Sequence, residues 1–133
     1  MIFLLDTHTF IWSLLKTINL GKNAKEIIYS RKNKICVSAV SFWEISIKTK
    51  LDKFLFQNID INKFPQYARD MGFNIIDMQE TESISFHELP LKADHKDPFD
   101  RMLIWQAITK NMTLISKDEK FEQYKQNGLK LVW

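Results

Sequence analysis

Apolar residues along this chain fall into short continuous runs that alternate with longer segments of helical spacing. The run 2–5 has the length of a strand and no polar face, which is typical of strands buried on both sides of a parallel sheet. Similar runs predict four further strands, at 35–37, 73–76, 113–116 and 129–132. The pattern therefore predicts a parallel sheet of five strands.

The segments between these runs show the three- to four-residue apolar spacing of helices. Helices are predicted over about 9–15, 23–31, 38–48, 65–71, 81–87 and 99–110, with a short one before the last strand. Gly72 marks one helix end and Pro98 one helix start, while residues 51–61 lack clean periodicity and are left as a short helix or a loop. Strands separated by helices imply right-handed crossovers and helices on both faces of the sheet.

Composition narrows the class of protein without changing this picture. The 133 residues and 15.8 kDa predict one domain, 1–133, and 45% hydrophobic with 26% charged residues is ordinary for a globular chain. The single Cys36 excludes an internal disulfide and fits a reducing compartment. The apolar start is too short for a signal peptide or a membrane span, so a cytoplasmic protein is expected, and a net charge of +3 permits a polyanionic partner.

Candidate chemistry gathers where strands end. Asp6 directly follows the first strand and Asp118 follows the fourth, while Glu44 and Asp100 lie on the helices after strand two and before strand four. Sites in parallel α/β sheets form beyond the carboxyl ends of the strands, where the strand order reverses. A group of carboxylates there matches the hard oxygen ligands that Mg²⁺ or Mn²⁺ needs for phosphodiester hydrolysis.

Each acid also has a purely structural interpretation. Asp6 and Asp118 can cap the helices that follow them, and Asp97 can cap the helix that begins at Pro98. Ser41 and Glu44 have the spacing of a capping box. Four caps have no reason to share one sheet edge, however, and crowded carboxylates repel unless a cation or a proton compensates. The convergence favours a metal site.

Four segments carry a resemblance to a known family. They are Leu4-Leu5-Asp6-Thr7-His8, Ser38-Ala39-Val40-Ser41-Phe42-Trp43-Glu44, His95-Lys96-Asp97-Pro98-Phe99-Asp100-Arg101 and Leu114-Ile115-Ser116-Lys117-Asp118. In this order they resemble the successive motifs of PIN-domain ribonucleases, and most closely the VapC toxins of type II toxin–antitoxin operons. The resemblance implies a five-stranded parallel sheet sandwiched by helices, with the acids at its carboxyl edge.

The same resemblance implies a function. Asp6, Glu44, Asp100 and Asp118 match the family's metal-site acids; Asp6 and Asp100 would bind Mg²⁺ (or Mn²⁺) directly, and Glu44 and Asp118 would act through water. Asp97 would be a supporting or capping residue. The implied reaction is hydrolysis of RNA phosphodiesters, and the implied partners are RNA, a cognate antitoxin bound along the apolar region 42–64, and a second copy of the chain in a homodimer, with no membrane.

Three other residues near these motifs invite a role. His8 and His95 flank the acids and are candidates for orienting a carboxylate or touching RNA, against an ordinary packing role. Arg101 is a candidate for phosphate binding or for a salt bridge to the acids. The histidine spacing matches no standard zinc motif.

Two other classes of protein remain open at this point. A receiver-like domain would use Asp77 as phosphoacceptor with Lys117 as its cation, and would leave Glu44 and Asp100 without a role. A binding module would keep the α/β fold without catalysis, and would need no metal. Acting in RNA maturation instead of as a toxin is a further possibility within the nuclease class.

Overall fold

The computed structural model describes all 133 residues. The strands are β1 (Ile2–Leu5), β2 (Lys34–Ser38), β3 (Asn74–Ile76), β4 (Thr113–Ile115) and β5 (Lys130–Val132). The α-helices are α1 (Thr7–Leu15), α2 (Lys22–Tyr29), α3 (Ala39–Lys50), α4 (Phe64–Asp70), α5 (Glu80–Ser85) and α6 (Pro98–Thr109). Short 3-10 helices cover Thr17–Asn19, Ile61–Lys63, Phe86–Glu88 and Glu119–Asn127.

The five strands form one parallel sheet in the order β3-β2-β1-β4-β5. The predicted five-stranded parallel sheet is therefore confirmed. The chain builds outward from β1 through β2 to β3, and then crosses to β4 on the other side of β1. The carboxyl ends of β1 and β4 thus border the point where the strand order reverses, which is where such sheets open a crevice.

The sheet separates two apolar cores because alternate strand residues face opposite sides. Phe3 and Leu5 of β1 pack with residues of α1, α2 and α4 on one face. Leu4 packs with residues of α6 and of the Glu119–Asn127 segment on the other face. Both faces of the sheet are covered, as the continuous apolar runs predict, and this rigid layer fixes where the strand ends lie.

Element ends differ from the predicted ones by one or two residues, for local reasons. α1 begins at Thr7 because Asp6 caps it, two residues before the predicted start. Gly72 ends α4 as predicted: it has φ +82°, and the N–H of Phe73 donates to the carbonyl of Ala68 at 2.9 Å, the pattern of a Schellman cap. Residues between α3 and Ile61 form turns, so the loop alternative holds there.

None of the helices combines the length and the apolar character that crossing a bilayer requires.

Candidate active site

The acids at the carboxyl edge of the sheet are held by the helices that they cap. The N–H of Thr9 donates to Oδ1 of Asp6 at 2.8 Å, and the N–H of Lys120 donates to Oδ1 of Asp118 at 2.9 Å. Oδ1 of Asp97 likewise accepts from two N–H groups at the start of α6. Capping and clustering are therefore compatible, since one carboxylate oxygen serves the helix while the group as a whole stays at the sheet edge.

These acids share one cavity. Its volume is about 400 Å³, and five carboxylates, two lysines, a histidine and a tryptophan line it. The lining residues are Asp6, His8, Trp12, Glu44, Lys48, Asp97, Asp100, Lys117 and Asp118. All four acids predicted for the site lie in this cavity, together with Asp97.

Asp100 lies at the centre of the cluster. Its carboxylate forms one close group with Glu44 and Asp97 and another with His95 and Asp118, and in each group the potential ligand atoms lie within 4.8 Å of one another. Burial and the charges of Asp97, Glu44, Asp6 and Asp118 raise the pKa of Asp100 to about 8. Such a shift shows that the negative charge is poorly compensated by the protein alone. Hard oxygen donors in this arrangement suit a divalent cation such as Mg²⁺ or Mn²⁺.

Asp6 is the most deeply placed of the cavity's aspartates. It lies outside the two close groups, with 6% of its surface exposed. Burial raises its pKa above the ordinary value, although hydrogen bonds from Ser116 and Thr9 lower it in part. Asp118, by contrast, is exposed at the mouth of the site.

Glu44 is buried and both of its oxygens already have partners. The hydroxyl of Thr7 lies 2.5 Å from Oε1, and the ammonium of Lys48 pairs with Oε2. Burial alone lowers the pKa of Lys48, but the hydrogen bond and charge of Glu44 outweigh it and raise the pKa overall. The predicted Ser41–Glu44 capping box is wrong, because Ser38 caps α3 through the N–H of Val40 and Ser41 contacts Thr7 instead.

His95 connects Asp100 to the apolar core formed by α6 and the Glu119–Asn127 segment. Its Nδ1 lies 2.8 Å from the hydroxyl of Tyr124, and its Nε2 lies 3.4 Å from Oδ2 of Asp100. Burial lowers the pKa of His95, against the opposing charges of Asp118 and Asp97. The ring therefore contacts the carboxylate of Asp100 and also has the ordinary packing role, because it lies against the rings of Phe121 and Tyr124. His8 packs against Trp12 and Phe54 while lining the cavity.

Arg101 is not part of the site, which corrects both roles considered for it. Its guanidinium donates to the carbonyls of Leu89 and Pro90 at 2.9 and 3.3 Å and lies over the ring of Phe86. It therefore ties down the loop before α6. Asp77, the phosphoacceptor of the receiver alternative, is absent from the lining of the cavity, although Lys117 is present.

Two lining residues escape the sequence analysis. Lys48 has a local signal, its position four residues after Glu44 on one helix face. Trp12 has none, because its place in the cavity follows from how α1 packs beside the site. That both residues line the cavity is visible only once the fold brings α1, α3 and α6 together.

Comparison with known proteins agrees with this geometry. The family model described as the PIN domain matches residues 3–127, while no curated protein matches the chain. The chain resembles a structure of VapBC2 from Rickettsia felis bound to a promoter DNA fragment, with a TM-score of 0.71 and 18% identity over 99% of this chain and 98% of that one. It also resembles a toxin–antitoxin complex from Klebsiella pneumoniae, with a TM-score of 0.61 and 18% identity over 98% and 95%.

A third similar structure is VapBC-1 from nontypeable Haemophilus influenzae, with a TM-score of 0.59 and 19% identity over 99% of this chain and 97% of that one. At these identities the structures show a shared fold. The PIN model, in contrast, spans almost all of the sequence and includes every acid of the cavity. The chain therefore belongs to the PIN domain family, a family of nucleases.

Proposed function

We propose that residues 1–133 form one PIN domain that acts as a Mg²⁺-dependent endoribonuclease, the toxin of a type II toxin–antitoxin system in the cytoplasm. The observation that carries the proposal is the convergence of carboxylates on Asp100, whose pKa is raised to about 8 by burial and by its acidic neighbours. A protein that used these acids only as helix caps would gain nothing from such crowding.

The donor set fits a divalent metal ion. Asp6 and Asp100 are the proposed direct ligands, and Glu44 and Asp118 are proposed to reach the ion through water or to position the attacking water. When bound, Mg²⁺ or Mn²⁺ supplies positive charge toward the phosphodiester and makes water more acidic. The carboxylates themselves would hold the ion, and Asp118, exposed at the mouth of the site, would orient an attacking water and accept its proton.

The cavity also suits RNA as the polyanion. Lys117 lies at its rim beside Asp118, so a phosphate that enters the site meets a cation as well as the bound ion. The net charge of +3 favours association with a polyanion overall. The acids would otherwise repel RNA, so cleavage is expected to require the divalent ion strictly.

The test is cleavage of a mixed RNA pool by purified protein with Mg²⁺ or Mn²⁺, beside samples that contain EDTA. Asp100→Asn is the active-site variant, and Asp70→Asn, an exposed acid on α4, is the matched control. Cleavage by the wild type and by Asp70→Asn that is lost with EDTA and in Asp100→Asn supports the nuclease. Equal behaviour of wild type and Asp100→Asn would instead favour the non-catalytic binding module.

An antitoxin is the proposed protein partner, and an apolar groove beside the site is its proposed position. The groove has a volume of about 420 Å³ and lies between α1 and the turns after α3. Leu55 projects from it with 78% of its surface exposed, and an amphipathic segment is the type of ligand that fits such a groove. His8 and Trp12 line both this groove and the acidic cavity, so a segment held here would also reach the site.

This partner can be tested by hydrogen exchange with a candidate antitoxin, the product of a small gene immediately upstream. Protection within 42–64 is expected on binding, and Leu55→Glu is expected to weaken the complex while RNA cleavage stays unchanged. Unaltered exchange across 42–64 in a formed complex would refute the groove as the binding surface. The similar structures, VapBC2 from Rickettsia felis and a toxin–antitoxin complex from Klebsiella pneumoniae, support this kind of partner.

A homodimer is proposed through a second apolar surface, on the far side of Phe99 from the acids. Trp43 is 58% exposed and packs against Phe99, with ring centroids 5.3 Å apart, at the wall of a cavity of about 240 Å³. Ile84 on α5 is 76% exposed next to Ser83 of the same wall. Ile84→Glu is expected to convert a dimer to a monomer in analytical ultracentrifugation, with Leu55→Glu as control. A wild type that sediments as a monomer would refute the dimer.

A further inference from the structure

Lys48 is a cation built into a cavity of carboxylates. It lies on α3 one turn after Glu44, and its ammonium pairs with Oε2 of that residue. Lysine–glutamate pairs at this spacing are common on exposed helix faces, where they contribute little. Here the glutamate is 1% exposed and the lysine side chain 22% exposed, so the pair is part of the site's interior.

Aromatic rings confine this ammonium. The carbonyl of Lys48 accepts from the N–H groups of Lys53 and Phe54 at 2.8 and 3.3 Å where α3 ends, and this turn brings the Phe54 ring to 5.5 Å from the ammonium. The ring of Phe99, on α6, has its centroid 6.0 Å from the same ammonium. Rings at these distances attract a cation, so α3, its following turn and α6 together keep the charge inside the cavity.

Glu44 is thereby fully engaged before any metal arrives. The Thr7 hydroxyl contacts Oε1 and the Lys48 ammonium contacts Oε2. Yet the same carboxylate lies in the close group with Asp97 and Asp100 that suits a divalent ion. A metal ion that reached Glu44 directly or through water would therefore compete with the ammonium for one carboxylate, and the two like charges would repel at short range.

We propose that Lys48 is a positioning residue whose ammonium occupies this site before a metal ion binds. It holds Glu44 in place and competes with the divalent ion for that carboxylate. When RNA binds, the ammonium exchanges its ion pair with Glu44 for one with the RNA phosphate. The first role follows from the contacts of Lys48, while the second rests on the proposed divalent-ion site and the third on the proposed nuclease function. A phosphodiester carries the negative charge that the ammonium needs if it is to release Glu44.

The first test measures Mn²⁺ binding in the absence of RNA, with the concentration of free Mn²⁺ determined by electron paramagnetic resonance. Lys48→Met is expected to bind Mn²⁺ about tenfold more tightly than the wild type, because a nearby positive charge has been removed. Lys48→Arg keeps the charge and Lys50→Met removes an exposed lysine of the same helix; both are expected to match the wild type.

The second test measures RNA cleavage by the same variants at saturating Mn²⁺. Lys48→Met is expected to lower kcat about 100-fold, the lower end of the range for removing one donor that stabilises transition-state charge, and Lys48→Arg is expected to keep most of the activity. Tighter metal binding together with slower cleavage cannot arise from a merely loosened fold, which would weaken both.

The outcomes separate this inference from the proposed function. Unchanged or weaker Mn²⁺ binding by Lys48→Met would overturn the competition, whether or not the wild type cleaves RNA. A wild type that cleaves no RNA would refute the nuclease, while the Mn²⁺ titration would still decide the role of Lys48. Loss of folding in both Lys48→Met and Lys48→Gln would also overturn it, because the ammonium would then be needed for structure.

Discussion

Replacing Asp100 by asparagine is expected to stabilise the metal-free protein. Burial and four neighbouring acids raise the Asp100 pKa from 3.8 to about 8, so the folded state holds a proton that the unfolded chain releases. Below pH 3.8 both states are protonated and Asp100 has no effect on stability. As pH rises toward 8, the free energy of unfolding falls by about 1.4 kcal/mol per pH unit, and above 8 the loss is complete.

The expected magnitude at pH 7 follows from this pKa. Between pH 3.8 and pH 7, Asp100 ionises in the unfolded chain but stays protonated in the folded protein. This difference lowers the free energy of unfolding by about 4 kcal/mol at pH 7. Asparagine has a similar shape and does not ionise, so it escapes this cost. Because water and side-chain movement relieve part of the crowding in the native protein, we expect Asp100→Asn to gain about 2 to 4 kcal/mol at pH 7.

The assay is urea denaturation at pH 5, 7 and 8.5 in EDTA, with Asp70→Asn as the control for removing any one carboxylate. The difference between Asp100→Asn and the wild type should be smallest at pH 5 and should grow toward pH 8.5. If the two proteins differ by less than about 0.5 kcal/mol at pH 7, Asp100 is ionised and already compensated, and the inference of a charge-crowded site is refuted.

Three further predictions follow from other parts of the structure. Mg²⁺ binding at pH 7 should release close to one proton, since Asp100 with a pKa of about 8 is then largely protonated. Calorimetry in two buffers of different ionisation enthalpy measures the number of protons released. Binding heats that do not depend on the buffer would contradict the prediction. Gly72→Ala should cost about 1 kcal/mol in urea denaturation because of its φ of +82°, whereas no loss would show that the Schellman cap can relax. Leu114→Ala, at a fully buried position of β4, should cost about 2 to 5 kcal/mol, and a cost below 1 kcal/mol would mean that the apolar core beneath α6 collapses around the cavity.

The sheet could be predicted from the sequence because its central strands, β1, β2 and β4, are buried on both sides. A run such as Ile2–Leu5 has one interpretation in a chain of this length, and each run lies within a residue or two of an observed strand. Asp6 and Asp118 could be placed at one edge for the same reason, since parallel strands end together. Asp100 could be placed near them because Pro98 marks the start of α6.

What the sequence does not reveal depends on contacts between distant elements. Arg101 reads as a phosphate ligand from its neighbour Asp100, but its partners are carbonyls of Leu89 and Pro90, in a loop whose path has no sequence pattern. Lys48 reads as an ordinary helix lysine until Phe54 and Phe99 close around it. Both depend on tertiary packing, which periodicity does not report.

The capping hydrogen bonds of Asp6, Asp97 and Asp118 imply that this chain can lose its activity without losing its fold. Asparagine caps a helix as well as aspartate does, so a single-base change at any of these codons would leave the helix start intact while removing a charge from the cavity. Such a chain would still fold and still offer its apolar groove to a partner. Quality control that recognises only unfolded protein would not remove it, and an inactive copy could persist in a cell as a silent competitor for whatever binds the active one.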